Sequence, residues 1–193
     1  MSAAMVLITY TPGPAAKPQD YEPWLRSEDN PLFNSIGGID QYSNWKVLSP
    51  ADLGWTHFDF LGLRTAQDLE RVWFSPELDR FRKKWVERWG YVGAVPSPKS
   101  GYATLFMREG APVRAEQRYV ELDFGSAKGW TAVASLRKHW ALGPAPAGEP
   151  WRRPIAEFNP LGVSSLALTF HAQRPRSTNH VLAECIAAPE ESP

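Results

Sequence analysis

A histidine and an aspartate stand two residues apart in the aromatic run WTHFDF, which spans Trp55 to Phe60. The run predicts a β-strand, in which alternate side chains point to the same face. His57 and Asp59 then lie side by side, with Trp55 before them and Leu61 after them on that face. A carboxylate can hold an imidazole in one tautomer, and that imidazole can act as a general base. We therefore predict a catalytic pair, with His57 as the base and Asp59 as its orienting group; the alternative is a purely structural histidine.

Polar side chains on the preceding strand could bind a substrate carbonyl. Tyr42 and Asn44 alternate along the run IDQYSNWKVL, so both reach one face of that strand, where they line a wet pocket or face solvent. The chain also has nine tryptophans, an excess that fits either a wide apolar core or a pocket for a flat ligand. We predict that the aromatic residues of the substrate site are Trp24, Trp55 and Trp73.

The remaining histidines and the single cysteine give weaker signals. His171 and His180 flank the turn RPRSTN and could approach each other, but no third ligand is suggested, and we predict no metal site. His139 falls late in a predicted helix, where a cation interacts favourably with the helix C-terminus. Cys185 lies in the apolar run VLAECIAA, which is typical of a small buried side chain. The sequence contains no Walker loop, no GxGxxG and no GxSxG motif.

Composition and charge argue against several function classes. The 193 residues are 43% hydrophobic and 22% charged, which is ordinary for one large or two small globular domains. The 21 basic and 21 acidic residues give a formal net charge of zero, without the basic excess of a protein that binds nucleic acid or an anionic membrane. No apolar run approaches the ~20 residues of a membrane-spanning helix, and the N-terminus lacks the basic region of a signal peptide. We predict no nucleic-acid partner, no membrane partner and a cytoplasmic location.

Apolar spacing in the first half predicts alternating strands and helices. Strands are expected at 5–11, 39–48, 55–63, 91–95 and 102–108. One helix is expected between Asp20 and Gly37 with a break or kink at Pro31, and another starts at the cap and proline of Ser75 and Pro76. Counting the runs at 91–95 and 102–108 together, the order strand, helix, strand, strand, helix, strand is that of the split βαβ, or ferredoxin-like, unit.

The second half predicts a shorter version of the same order. Strands are expected at 117–124, 155–158, 163–171 and 180–187, and residues 143–154 look like a linker. A helix is expected after Ser126, with one side formed by Trp130, Val133, Leu136, Arg137 and Trp140. We predict a degenerate internal duplication, with a ferredoxin-like half at 1–110 and a second half at 111–193 that shares its core.

Two stretches of the first half resemble the dimeric α+β barrel superfamily. DYEPWLRSEDNPLFNSIGGI is similar to the first helix of that family, and DLERVWFSPELDRFRKKW is similar to the second helix of its antibiotic-biosynthesis monooxygenase branch. The resemblance covers about residues 5–108. It implies an α+β fold in which two ferredoxin-like sheets pack face to face as an α+β barrel. The second sheet would come from the second half of this chain or from a second copy, so a homodimer stays an open alternative.

Departures from the family pattern bear on cofactors. Many members have a histidine in the first helix, where this chain has Asp29 and Asn30 before Pro31. Members that handle haem have a histidine just after the S-P-E break, where this chain has Leu78. We therefore predict no haem and no other cofactor.

The resemblance implies a function in secondary metabolism. The leading prediction is a cofactor-independent cyclase, isomerase, dehydratase or oxygenase that acts on an aromatic or polycyclic small molecule, with a histidine as general base. The alternative is a non-catalytic protein that binds a hydrophobic ligand or serves as an accessory subunit, because the same aromatic pocket would suit it.

The missing histidine at Leu78 makes the haem prediction testable by absorption spectroscopy. The purified protein should show no Soret band, because the matching position offers no axial ligand. Stoichiometric bound haem in the purified protein would contradict this prediction.

Overall fold

Nine β-strands form one antiparallel sheet in the residues that the computed structural model describes, which are 2–50, 52–90, 102–109, 117–126, 129–138, 150–176 and 178–189. The strands are β1 (Ser2–Tyr10), β2 (Ile39–Ser49), β3 (His57–Leu63), β4 (Tyr102–Glu109), β5 (Tyr119–Phe124), β6 (Trp130–Arg137), β7 (Arg152–Pro154), β8 (Ser165–His171) and β9 (Val181–Ala187). Eight of them follow the order β4-β1-β3-β2-β9-β5-β8-β6, and β6 pairs back to β4, which closes a barrel. The short β7 extends the sheet from β6.

The described helices all belong to the first half of the chain. They are α1 (Pro18–Trp24), a π-helical turn (Leu25–Asp29), α2 (Asn30–Ser35), α3 (Asp68–Trp73) and α4 (Pro76–Trp89). The predicted start of α4 is confirmed, because the Ser75 hydroxyl accepts a hydrogen bond from the backbone N–H of Leu78 at 3.2 Å and Pro76 occupies the first turn. The helix expected between Asp20 and Gly37 with a break or kink at Pro31 is interrupted by the π-helical turn at Leu25–Asp29, and the proline sits in the first turn of α2. No described helix is both long and apolar enough to cross a membrane.

The predicted α+β class with ferredoxin-like units is wrong, because the strands of both halves join in one closed antiparallel barrel and strand dominates over helix. The main error is the helix expected after Ser126, where the structure has β6. The apolar residues Trp130, Val133 and Leu136 are spaced by three, which fits one face of a helix. In β6, however, Trp130 and Ala132 point into the barrel, and a register shift opposite Leu105 and Phe106 turns Ala134 and Leu136 to the outer face.

Other differences are local. The β2–β3 hairpin is confirmed, but the strand expected at 155–158 is a turn that follows β7. The strand expected at 91–95 lies outside the described residues, as do His139, Trp140 and most of the predicted linker. The four strands β9-β5-β8-β6 follow the same relative order as β4-β1-β3-β2, although the described residues place no helices over them.

Strand alternation separates two apolar cores. The inner core fills the barrel and includes Leu7, Trp45, Phe58, Phe106 and Trp130. The outer core lies between the helices and the strands β4, β1, β3 and β2, and β1 contributes to both cores because its two faces are apolar. Trp55 packs with Phe58 in the inner core, so the prediction that it shares a face with Asp59 is wrong.

The inner core makes the barrel sensitive to loss of volume. Phe106 is 0% exposed, and Phe106→Ala should lower the free energy of unfolding by about 3–5 kcal/mol, because it removes buried contacts and leaves a cavity. Phe74 is 44% exposed and provides a matched control whose replacement by alanine should cost less than about 1 kcal/mol. Denaturant unfolding of both variants measures the difference, and equal losses would contradict the assignment of the two cores.

Candidate active site

Three neighbouring strands bring polar side chains to the face that the helices cover. In β1, β3 and β2 the residue pairs Ile8–Asp59 and Asn44–Asp59 are in register, so Asp59 occupies the middle of the group. Tyr10 lies two residues beyond Ile8 on the same face of β1. The π-helical turn between α1 and α2 places Asp29 over this face. The site is therefore built between the sheet and its helices, outside the barrel.

Two carboxyl groups share one amide. The Asn44 side chain donates through Nδ2 to Oδ2 of Asp29 at 2.6 Å and to Oδ1 of Asp59 at 2.9 Å. The Tyr42 hydroxyl donates to Asp29 at 3.1 Å, and the Tyr10 hydroxyl donates to Asp59 at 3.2 Å. Asp29 is 2% exposed and Asp59 is 6% exposed. The pair is thus removed from bulk water and held by neutral donors.

The asparagines of α2 fix the orientation of the shared amide. Asn30 donates from Nδ2 to Oδ1 of Asn44 at 3.1 Å, which leaves the Asn44 NH₂ group to face the two carboxyls. Asn34 accepts from the backbone N–H of Tyr42 at 2.8 Å and donates to its carbonyl at 3.1 Å. These bonds tie the start of α2 to β2. Asn30 and Asn34 are positioning residues for Asn44.

A small cavity lies beside the carboxyl pair. Its walls are formed by Ile8, Tyr10, Tyr21, Leu25, Asp29, Phe33, Tyr42, Asp59, Phe81 and Trp85. Its volume is about 20 Å³, which is room for a single water molecule. Trp85 is the one partly exposed residue among these ten, so it stands at the opening. Its indole N–H donates to the Tyr21 hydroxyl at 3.2 Å, and that hydroxyl donates to Tyr10 at 3.3 Å.

Burial shifts the proton equilibria of the pair. Burial raises the pKa of Asp59 to about 7, although hydrogen bonds from Tyr42, Asn44 and Tyr10 oppose the shift. Burial and the neighbouring Asp59 charge raise the pKa of Asp29 well above its ordinary value. Both shifts favour the protonated form of a carboxyl, and the two groups titrate as a coupled pair.

A lysine and three tyrosine hydroxyls near the pair also have shifted pKa values. Burial lowers the pKa of Lys138 to about 7, while the Asp59 charge opposes that change. The Lys138 ammonium donates to the backbone carbonyl of Thr9 and lies 5.9 Å from the centre of the Tyr10 ring. Burial raises the pKa of the Tyr10, Tyr21 and Tyr42 hydroxyls, which keeps them as hydrogen-bond donors.

His57 lies next to this site but not in its wall. Its ring stacks on Tyr10 at 5.7 Å and meets the edge of Tyr21 at 5.7 Å, and its Nδ1 is 2.9 Å from the Thr56 hydroxyl. Burial, and secondly the Lys46 charge, lower the pKa of His57 to about 4, so the imidazole is neutral at pH 7. Asp59 accepts hydrogen bonds from Tyr10, Asn44 and Tyr42. The role of His57 as base stays a prediction.

The other predicted site residues divide into two groups. Tyr42 and Asn44 belong to the carboxyl cluster. Trp24 stacks on Phe81 behind the cavity, Trp55 lies in the inner core, and Trp73 donates from its indole to the Arg137 carbonyl under α3. None of these three tryptophans belongs to the wall of the cavity.

Sequence reasoning missed Asp29, Tyr10, Tyr21 and Lys138. A signal for Asp29 was present, because Leu25, Asp29 and Phe33 are spaced by four residues, which puts a carboxylate on the apolar face of a helix. A charged residue on such a face is unusual unless it is paired.

No metal site is found among the described residues. No group of three or more His, Cys, Asp or Glu side chains in that part of the chain is arranged to hold an ion. His171 approaches Glu121 at 3.5 Å and His180 approaches Asp123 at 3.5 Å, so each histidine contacts a different carboxylate.

The raised pKa of Asp59 predicts a pH-dependent stability. Between its ordinary pKa of 3.8 and about 7, the folded chain holds a proton that the unfolded chain has lost. The contribution of Asp59 to the free energy of unfolding therefore falls as the pH rises through this window, and Asp29 acts in the same direction. Between pH 4 and pH 7, the free energy of unfolding of the wild-type protein should fall by at least about 1 kcal/mol relative to that of Asp59→Asn, as measured by urea unfolding.

An exposed aspartate provides the control for this titration. Asp52 lies on the surface, and the stability difference between wild type and Asp52→Asn should stay nearly constant over the same window. The raised pKa would be contradicted if the free energy of unfolding of the wild type, measured relative to Asp59→Asn, stayed constant or increased from pH 4 to pH 7.

Comparison with known proteins gives this chain no family: no protein-family model, curated protein or solved structure matches it. The resemblance to the dimeric α+β barrel superfamily therefore stays a prediction.

Proposed function

We propose that this protein is a cofactor-independent enzyme that moves a proton on a small organic molecule bound between the barrel and its helices. The observation that carries this proposal is the pair Asp29 and Asp59, two buried carboxyls bridged by Asn44 in the wall of one cavity. Paired carboxyls that share a proton supply both a base and an acid at neutral pH. Asp59 is the proton-transfer group, and Asp29 is its partner.

The proposed step is a proton transfer without oxidation or reduction. The Asp59 carboxylate takes a proton from a C–H or O–H bond of the substrate, and the electron pair of that bond stays on the substrate. The hydroxyls of Tyr10 and Tyr42 now donate to the carboxyls. When each turns from its carboxyl to the substrate, it stabilises the oxygen that gains charge by donating a hydrogen bond to it. Asp59 then returns the proton to another atom, which completes an isomerisation, a cyclisation or the loss of water.

Aromatic side chains favour an aromatic substrate. Six of the ten residues in the wall carry rings, and such a surface orients a flat molecule and excludes water. The cavity of about 20 Å³ holds only a water-sized group, so the rest of the substrate would lie outside it, next to the partly exposed Trp85. The role in secondary metabolism rests on the sequence resemblance alone and stays a prediction.

A second candidate function is a non-catalytic protein that binds a hydrophobic ligand. The observation that favours it is the same set of rings, which can provide affinity without a chemical step. The two functions differ in one respect: only the enzyme exchanges substrate protons with solvent.

Hydrogen–deuterium exchange in D₂O tests the enzyme directly. A panel of aromatic ketones and phenols, with and without an amino group, would be incubated with the protein and followed by NMR. Wild-type protein should speed deuterium uptake at carbon for at least one compound. Asp59→Asn should reduce that rate by about 10²–10⁴-fold, because it removes the proton acceptor.

His57→Ala is the matched comparison for this experiment. It should leave the rate within about tenfold of the wild type, because His57 is outside the wall of the cavity. If His57→Ala abolishes exchange while Asp59→Asn retains it, the histidine is the base and the present proposal is wrong. Exchange by neither wild type nor variants, together with ligand binding, would favour the binding protein.

A further inference from the structure

We infer that the natural ligand of this cavity carries a primary amino group, and that its ammonium head binds between Asp29 and Asp59. This inference rests on the proposed function in taking the cavity beside the carboxyl pair as the substrate site. It adds the chemical class of the substrate, an amine with an aromatic or apolar tail.

The hydrogen bonding of the two carboxyls favours a ligand that donates hydrogen bonds. In the part of the chain that the structure describes, hydrogen bonds of 2.6–3.2 Å reach Oδ2 of Asp29 and Oδ1 of Asp59, and Tyr42 also hydrogen-bonds to Asp59. Each carboxyl has a second oxygen, and both residues line the cavity. A carboxylate has about four lone-pair sites, so each group keeps acceptor capacity toward the cavity. A ligand in the cavity therefore has to donate hydrogen bonds, and an ammonium has three N–H groups with which to do so.

The aromatic wall of the cavity favours a cationic ligand. The rings of Tyr10, Tyr21, Phe33, Tyr42, Phe81 and Trp85 surround the cavity, and no Lys, Arg or His belongs to its ten wall residues. The faces of aromatic rings carry negative potential and attract cations, most strongly where water is excluded. Carboxyls and rings together favour a cation and disfavour an anion.

The size of the cavity also favours an ammonium head. A space of about 20 Å³ accepts one water-sized group. An –NH₃⁺ head is of that size, whereas carboxylate, sulfate and phosphate groups are larger and would also be repelled by the pair. The tail of the amine leaves past Trp85, the partly exposed residue at the opening, where its indole can stack on an aromatic ring.

Charged groups around the cavity determine how binding varies with pH. The groups that face it are Asp29 and Asp59, with Lys138 near Asp59 and the ion pair Lys46–Glu22 (2.9 Å) near His57. An ammonium binds best when the pair carries negative charge, so affinity should rise as the pH increases from 5 to 8 and the pair loses its proton.

The test uses 2-phenylethylamine as the probe, with 2-phenylethanol as the neutral control of the same shape and 3-phenylpropanoate as the anionic control. Calorimetry on the wild-type protein at pH 7.5 should show the amine binding at least about tenfold more tightly than the alcohol, with no binding of the carboxylate. The amine should bind more weakly at pH 5. In ¹⁵N spectra, the amine should shift the Asn44 side-chain NH₂ and the Trp85 indole N–H.

Variants test whether the carboxyl of Asp29 binds the ammonium head. Asp29→Asn should weaken amine binding by about 10–100-fold, because it removes a charge-assisted hydrogen bond, while binding of the alcohol changes little. Asp52→Asn is the surface control and should bind the amine like the wild type. If Asp29→Asn does not fold, the comparison of amine and alcohol on the wild type, with the Asn44 and Trp85 shifts, still decides.

Two results would overturn the inference. One is an amine that binds no more tightly than the alcohol, and the other is binding that leaves the Asn44 and Trp85 signals unchanged. Deuterium exchange on an amine-free ketone, without amine binding, would overturn the amine inference and leave the proposed enzyme standing. Amine binding without exchange on any compound would support the site and overturn the enzyme.

Discussion

Two carboxyl groups buried under the helices impose the main physical constraint on this structure. Asp29 comes from the helix layer and Asp59 from the sheet, and the Asn44 amide donates to both. A buried carboxyl without donors would cost several kcal/mol, so the donors have to be in place whenever the helices pack on the sheet. Polar contacts of defined geometry therefore join the two layers in addition to apolar burial. The same contacts hold two carboxyls with raised pKa values beside an aromatic cavity, which is the basis of the proposed chemistry.

The barrel gives this cluster a rigid support. Residues that point inward from β1, β2 and β3 pack in an aromatic core, while the alternate residues of the same strands present Tyr10, Asn44 and Asp59 to the helices. The second half of the chain closes the barrel through β9 on β2 and β6 on β4. Catalytic groups held on packed strands keep their geometry better than groups on loops.

Local signals explain which parts of the structure could be predicted from the sequence. The β2–β3 hairpin and the Ser75 cap depend on alternation and on turn chemistry within a few residues, and both were predictable. The strand β6 was not, because its bulge changes the face of the chain and gives an apolar spacing that also fits a helix. Trp55 was assigned to the wrong face because it precedes the regular strand. Asp29 could not be placed beside Asp59 from sequence, since their contact depends on the docking of two layers.

A ¹³C NMR titration of the aspartate carboxyls tests the central claim most directly. The claim is that burial under the helices makes Asp29 and Asp59 hold a proton between them near neutral pH. The account predicts that Asp59 titrates with a midpoint near pH 7 and that the pKa of Asp29 lies well above 3.8. Midpoints near pH 4 for both Asp29 and Asp59 would contradict it.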